Sequence, residues 1–277
     1  MMLDSWWWFF LFWGLLALLA SAEWQAASPA RSLLRRGRWP ANLGLGFANG
    51  LLVALLPVSV LAIAFWAEQK SLGLFNILEL PVVLVVAATL VLRSFAQYLQ
   101  HRLMHRVPLL WRVHRVHHCD PRCDVTTALR FHPLEYAVVL PLLGGLTLLG
   151  GLDPYTLAVY EIVESIFGLA THACLQLPGR LERVLRLVFV TPAVHQIHHS
   201  IDRDESEMNY AAVFSLWDRL FGSFQALPSV PMDERRFGCD QIAPAQASSF
   251  DQLMDMPFRS RAYTVGQTAG HLGGDGG

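Results

Sequence analysis

The sequence predicts an all-α protein: a polytopic membrane helix bundle with a cytoplasmic, histidine-rich helical cap. Three observations carry that expectation. Apolar residues make up 53% of the 277-residue chain and charged ones only 16%, too little charge to solvate a compact globule of this size. The apolar residues are gathered into runs long enough to cross a bilayer. The histidines are massed where such runs end, as in HRLMHRVPLLWRVHRVHH (101–118). A net charge of −1 leaves no electrostatic footprint for a nucleic-acid partner.

The elements follow in order. Residues 6–20, WWWFFLFWGLLALLA, are uncharged and preceded only by Asp4, where a cleaved signal would begin with positive charge, so a retained membrane helix is expected. RSLLRRGRW then carries Arg31, Arg35, Arg36 and Arg38. Further spans are expected at about Leu43–Trp66, Leu80–Leu99, Pro133–Leu152 and Tyr155–Ala170, the last two joined by a tight GLDP turn. The arginine-rich loop should be cytoplasmic, and counting crossings from it delivers every internal histidine to that same side. GLGFANG (44–50) lacks the preceding strand and third glycine of a dinucleotide loop and reads as close helix packing. Glu161 and Glu164 sit in an apolar run, where carboxylates are expensive unless they face a site, a polar pathway or an interface. Residues from about Gln241 onward are mixed and polar and end in HLGGDGG, so the tail is expected to be partly disordered. Of 21 basic residues only Lys70 is lysine, which with the Ala/Leu/Gly richness suggests a GC-rich bacterial genome. The cysteines (Cys119, Cys123, Cys174, Cys239) show no disulfide-like framework, which fits a reducing, cytoplasmic exposure.

Eight of eleven histidines fall into three groups: His101/His105, His114/His117/His118 and His195/His198/His199. On a helix, positions i and i+4 differ by about 40°, and i, i+3 and i+4 lie within an arc of about 100°, so each group points its imidazoles one way. Pro108 can open a helix through His118, and Thr191 followed by Pro192 offers an N-cap and a first turn. One zinc needs only three or four ligands, so this number of imidazoles argues for a two-metal centre, although nitrogen ligation alone leaves zinc, copper, iron and nickel open. A lone histidine is most often a surface or core residue, as His271 in the tail should be; three groups on one face are a different matter. A structural zinc is not needed by a helical membrane bundle of this size.

In order, spacing and surroundings, HRLMHRVPLLWRVHRVHH, TALRFHPLEY, VTPAVHQIHHS and NYAAVFSLWDRLFGSF resemble the fatty acid hydroxylase/sterol desaturase superfamily of membrane di-iron oxygenases. The resemblance covers most of residues 95–225 and implies two iron ions, dioxygen as co-substrate, and His101, His105, His114, His117, His118, His195, His198 and His199 as ligands. His172 in THACLQLP stands where relatives have a further histidine and is expected as a ninth ligand. His132 matches a recurrent histidine that either ligates or supports the ligands, for example through Glu135. Asn209, Tyr210, Trp217 and Asp218 match an element expected to pack around the last histidine helix. The chain departs from the pattern at Ser94, Cys174, Ala211 and Ser223, where relatives commonly carry an acidic residue, asparagine, glycine and threonine.

The implied organisation is N-terminal membrane helices in 1–100, a histidine-rich catalytic region with a membrane hairpin at 133–170 in 101–225, and a tail in 226–277. The implied activity is hydroxylation or desaturation of a lipid such as a fatty acyl chain, sterol or isoprenoid, in a bacterial inner membrane. Without a flavin, nicotinamide or haem motif, electrons would come from a separate carrier protein and reductase. A histidine-rich metal transporter would place ionisable residues along the spans rather than massing them at one end. A zinc hydrolase would need only three ligands and a general base, with no HExxH present.

Overall fold

The computed structural model describes residues 6–259 apart from 26–28, 79, 232–233 and 241. Among the described residues the chain is helical, with isolated bridges such as Phe189 to Phe214 and no strand. In chain order the helices are α1 (Trp6–Gln25), α2 (Pro29–Leu55), α3 (Val60–Gln69), α4 (Leu74–Ile77), α5 (Val82–Arg106) and α6 (Pro108–His118), then α7 (Tyr136–Gly150), α8 (Pro154–His172), α9 (Gly179–Leu185), α10 (Pro192–His198), α11 (Arg203–Ser206), α12 (Leu216–Leu220) and α13 (Phe250–Asp255).

Among the described residues, three stretches are long and apolar enough to cross a membrane: Arg35–Ile77, Val82–Arg106 and Pro133–Gly150. The chain is that of a membrane protein. The expected Leu43–Trp66 span is broken between α2 and α3 at Pro57, which cannot continue the hydrogen-bond ladder. Ser59 then caps α3 by accepting from the Ala62 amide at 3.0 Å. The expected span over Tyr155–Ala170 is a helix, α8, but it falls outside the three because Glu161 and Glu164 lie on it. It packs against α3 and α5. The GLDP turn forms as expected: Gly151 ends α7 at φ 64°, and Asp153 caps α8 by accepting from Thr156 at 2.7 Å. At this end of the bundle the backbone of Gly73 runs so close that a Cβ there would lie 2.3 Å from the Gly151 nitrogen.

At the opposite end the arginines and the histidines come together. Arg38 is buried between Asp120 and Asp124, just beyond His118, and Asn42 donates to Asp120 at 3.0 Å. Asp124 also caps the short 3-10 helix Val125–Leu129. These pairs fix that loop against α2. GLGFANG packs as expected, since a Cβ on Gly44 would lie 2.9 Å from the Phe250 ring.

One expectation is corrected. Cys119 and Cys239 are joined by a disulfide. Their separation of 120 residues hid the pairing, and the cysteines therefore give no support to a reducing compartment. Within the tail, residues 246–258 carry short helical elements, with α13 on α2 and the turn Met256–Phe258 on α6. Leu253 is fully buried with Ala41, Leu45, Val116 and Met256, a burial worth roughly 1.5–3 kcal/mol. Residues 260–277, including His271, lie outside the described residues.

Candidate metal centre

α5 continues past its apolar run for one more turn, which places His101 and His105 on successive turns of its polar end. Pro108 disfavours helix at Val107, so the chain turns there and α6 packs back on α5. That turn brings His114, His117 and His118 opposite the first pair. His172 is the last residue of α8. Thr191 caps α10, with Pro192 in its first turn, and α10 presents His195, His198 and the C-capping His199.

The nine imidazoles sort into two groups, His101, His105, His114, His118 and His198 in one and His117, His172, His195 and His199 in the other. Within each, the candidate ligand atoms lie within 4.8 Å of one another. Both HxxHH motifs divide in the same way. On α6, His114 and His118 turn to the first group and His117 to the second. On α10, His195 and His199 turn to the second and His198 to the first. The i, i+4 pair shares a face and the i+3 residue is offset from it, so each motif contributes to both groups. The rings of His118 and His199 stack between them with centroids 4.6 Å apart.

The donors are arranged for cations. His105 Nε2 is 3.1 Å from His118 Nε2, and His101 Nε2 is 3.0 Å from His198 Nε2. His172 Nε2 lies 3.2, 3.1 and 3.0 Å from the Nε2 atoms of His117, His199 and His195. Nitrogens bound at about 2.1 Å to one metal ion and at right angles to each other are about 3.0 Å apart, so these spacings fit ligation. Behind the rings, Nδ1–H of His101 donates to the Tyr210 carbonyl at 2.6 Å, that of His198 to Met208 at 2.7 Å and that of His172 to Gly168 at 2.6 Å. His114 Nδ1 faces Glu135 Oε1 at 3.1 Å, while its Nε2 is buried without a partner. These bonds fix the tautomer that leaves Nε2 free for a metal. Burial pushes the imidazoles of His117, His118, His195 and His199 well below their ordinary pKa, reinforced by the neighbouring histidines. Burial takes His198 down to about 3, although the Met208 carbonyl opposes it. The rings are therefore neutral near pH 7, the ligating form, and each group can hold a metal ion.

The remaining candidates surround this centre. His132 is in neither group. Its Nδ1 accepts from the Leu134 amide at 3.0 Å and its Nε2–H donates to the Met254 carbonyl at 3.0 Å. Glu135 serves His114 rather than His132. Asp218 accepts from the Tyr210 and Ala211 amides at 2.8 and 2.9 Å and so places the carbonyl that receives His101. Burial pushes its carboxyl up to about 6, still ionised at neutral pH. Asn209, at φ 58°, donates to Val194 of α10 and to Gln225. Ser94 accepts from the Trp217 indole at 3.1 Å, and the Cys174 amide donates to Glu23 at 2.7 Å. Sequence reasoning missed Glu207, whose Oε1 stands 3.8 Å from His105 Nδ1 and whose carboxylate meets Arg106 and Arg203. No histidine spacing points to it.

A cavity of about 470 Å³ runs from both histidine groups into the helix bundle. His101, His114, His117, His172 and His195 form one end, and Val53, Val139 and Leu143 line the part within the apolar helices.

Comparison with known proteins places this geometry. The fatty acid hydroxylase family model matches residues 86–223. The chain is 31% identical over 204 residues to the ornithine lipid hydroxylase OlsE of Rhizobium tropici, covering 72% of this chain and 57% of that protein. It is 31% identical over 134 residues to the alkylglycerol monooxygenase of Homo sapiens, covering 48% of this chain and 29% of that protein. It is 30% identical over 221 residues to a cholesterol 25-hydroxylase-like protein of Danio rerio, covering 72% of this chain and 81% of that protein. No solved structure matches the chain significantly. The chain belongs to the fatty acid hydroxylase family.

Proposed function

We propose that this protein is a membrane di-iron oxygenase that hydroxylates a lipid. The observation that carries the reading is the pair of imidazole groups opening onto a cavity that extends between apolar helices. His101, His105, His114, His118 and His198 would hold one iron, and His117, His172, His195 and His199 the other. Two irons bound there would supply the activation of dioxygen and the oxidation of an unactivated C–H bond, chemistry beyond any side chain. The chain's own part is to orient the ligands, exclude water and align the substrate. The carbonyls of Tyr210, Met208 and Gly168 hold ligand Nδ1 protons, and Glu135 stands at Nδ1 of His114. Apolar walls at Val53, Val139 and Leu143 admit a hydrocarbon chain from the bilayer.

The relatives' names, ornithine lipid hydroxylase and alkylglycerol monooxygenase among them, favour oxygen insertion into a polar membrane lipid over desaturation. Electrons would come from a separate carrier protein and its reductase. The arginine-rich start of α2 shares its end of the bundle with the histidines, which supports a cytoplasmic centre in a bacterial inner membrane. The proposal keeps the division into membrane helices (1–100), catalytic region (101–225) and tail (226–277), whose Met256–Phe258 turn lies on α6. Anaerobic purification followed by metal analysis should return about two irons per chain, the count set by two ligand groups. One tightly held zinc with no iron would overturn the proposal.

A further inference from the structure

The cavity wall carries an ion pair that the metal centre does not use. Arg93 of α5 donates from Nη2 to Glu164 Oε2 of α8 at 2.5 Å, and both residues line the cavity. Arg93 is 5% exposed, and its Nε and Nη1 have no hydrogen-bond partner. Its guanidinium stands 5.3 Å from the Tyr160 ring centroid. Arg93 precedes His101 by eight residues, and Glu164 precedes His172 by eight, so the pair lies about 12 Å along each helix from the histidines. A buried cation with two free donors is costly, and a ligand atom that accepts from them removes the cost.

The charge of the pair selects the ligand. Glu164 already neutralises Arg93, and Glu161, one turn away on α8, stands close enough to act on Arg93 as well, so a carboxylate or phosphate would gain little net attraction and lose its hydration. A hydroxyl or carbonyl oxygen can accept from Nε or Nη1 at far smaller desolvation cost. We propose that Arg93 and Glu164 form a polar anchor for an uncharged oxygen-bearing group of the substrate, a hydroxyl or an ester or amide carbonyl. With that group held at the pair, the reacting carbon lies beside the histidines about 12 Å away, the rise of eight helical residues. This rests on the lipid oxygenase reading, since it is the substrate of that site that is being held.

The test is binding, without turnover, to the iron-loaded protein in detergent without oxygen, followed by native mass spectrometry. The probes are hexadecanol, hexadecane and hexadecanoate. Comparing each probe between wild type and variant cancels its partition into the micelle. In the double variant Arg93→Leu/Glu164→Leu, which removes both partners of the ion pair together, hexadecanol should lose about tenfold, as for one lost hydrogen bond. Hexadecane should be held equally or better. The same change for hexadecanol and hexadecane, or the largest loss for hexadecanoate, would overturn the anchor. Glu164→Gln keeps a hydrogen-bonding partner but leaves Arg93 charged, and should shift preference from hexadecanol towards hexadecanoate; an unchanged preference counts against the charge argument. Failure of the oxygenase reading shows elsewhere, as a wild type that yields no dioxygen-dependent lipid product.

Discussion

The two imidazole groups share α6 and α10, with α5 completing the group of five and α8 the group of four, and they are supported differently. In the group of five, His101 and His198 each donate from Nδ1 to a backbone carbonyl, and His114 is faced by a carboxylate. In the group of four, His172 has such a bond, whereas Nδ1 of His117 and of His195 is buried without a partner, as in the group of five only that of His105 is. His117 is held instead by its ring, stacked on Phe131 with centroids 4.4 Å apart. Hydrogen-bonded imidazoles are fixed in rotation and made more basic, so the group of five should bind its metal more tightly. The group of four depends on His172, whose Nε2 alone approaches three other ring nitrogens.

That dependence gives the largest expected effect. His172→Ala should lower bound iron from about two ions per chain to about one, since a group left with three imidazoles no longer encloses the ion as four do. Turnover should be abolished while the protein still inserts. His198→Ala leaves its group with four ligands, and should retain more metal than His172→Ala while also losing turnover. Metal analysis of both variants breaks the comparison if they lose iron equally.

Acid should act next. The lowered pKa values of His117, His118, His195, His198 and His199 mean that the unfolded chain binds protons below pH 6.5 that the metal-free fold does not. Stability from these residues is therefore present above the unfolded pKa and lost as pH falls, by about 1.4 kcal/mol per pH unit for each imidazole. Thermal unfolding of metal-free protein at pH 7.5 and 5.5 should show a steep loss, which bound metal suppresses. A flat profile would mean that the rings are not buried as neutral bases.

The physical reasons why some of this was legible in sequence differ from residue to residue. Apolar runs such as Val82–Leu99 announce themselves because a bilayer demands their length. The ligands were visible because HxxxH and HxxHH put imidazoles on one helical face. How they divide into two groups was not, because it depends on how α6 and α10 face each other. Glu135, one of the partners open to His132 in the sequence, stands at Nδ1 of His114, while the His132 side chain caps the 3-10 turn at Pro133–Glu135. The Cys119–Cys239 link and the ion pair of Arg93 with Glu164 join distant segments and leave no local pattern. The Phe250–Asp255 helix is too short for its period to stand out from a polar tail.

The smallest effect sharpens the comparison most, because it touches support without touching a ligand. Glu135→Gln keeps the size of the side chain and a hydrogen-bonding oxygen for His114 Nδ1–H, but removes the carboxylate charge behind that ligand. Replacing such a partner typically costs 10–100-fold in metal affinity, so a loss of about tenfold is expected for this conservative change. The loss should fall on the group of five alone, which Glu135 serves through His114. Stepwise chelation of wild type should release first the ion held by the group of four. In Glu135→Gln the two release steps should move together, because the better supported group has been brought down towards the other. If the steps separate further instead, the group of four is the tighter site, and the stacking of His117 on Phe131 holds a ligand better than a hydrogen bond at Nδ1 does.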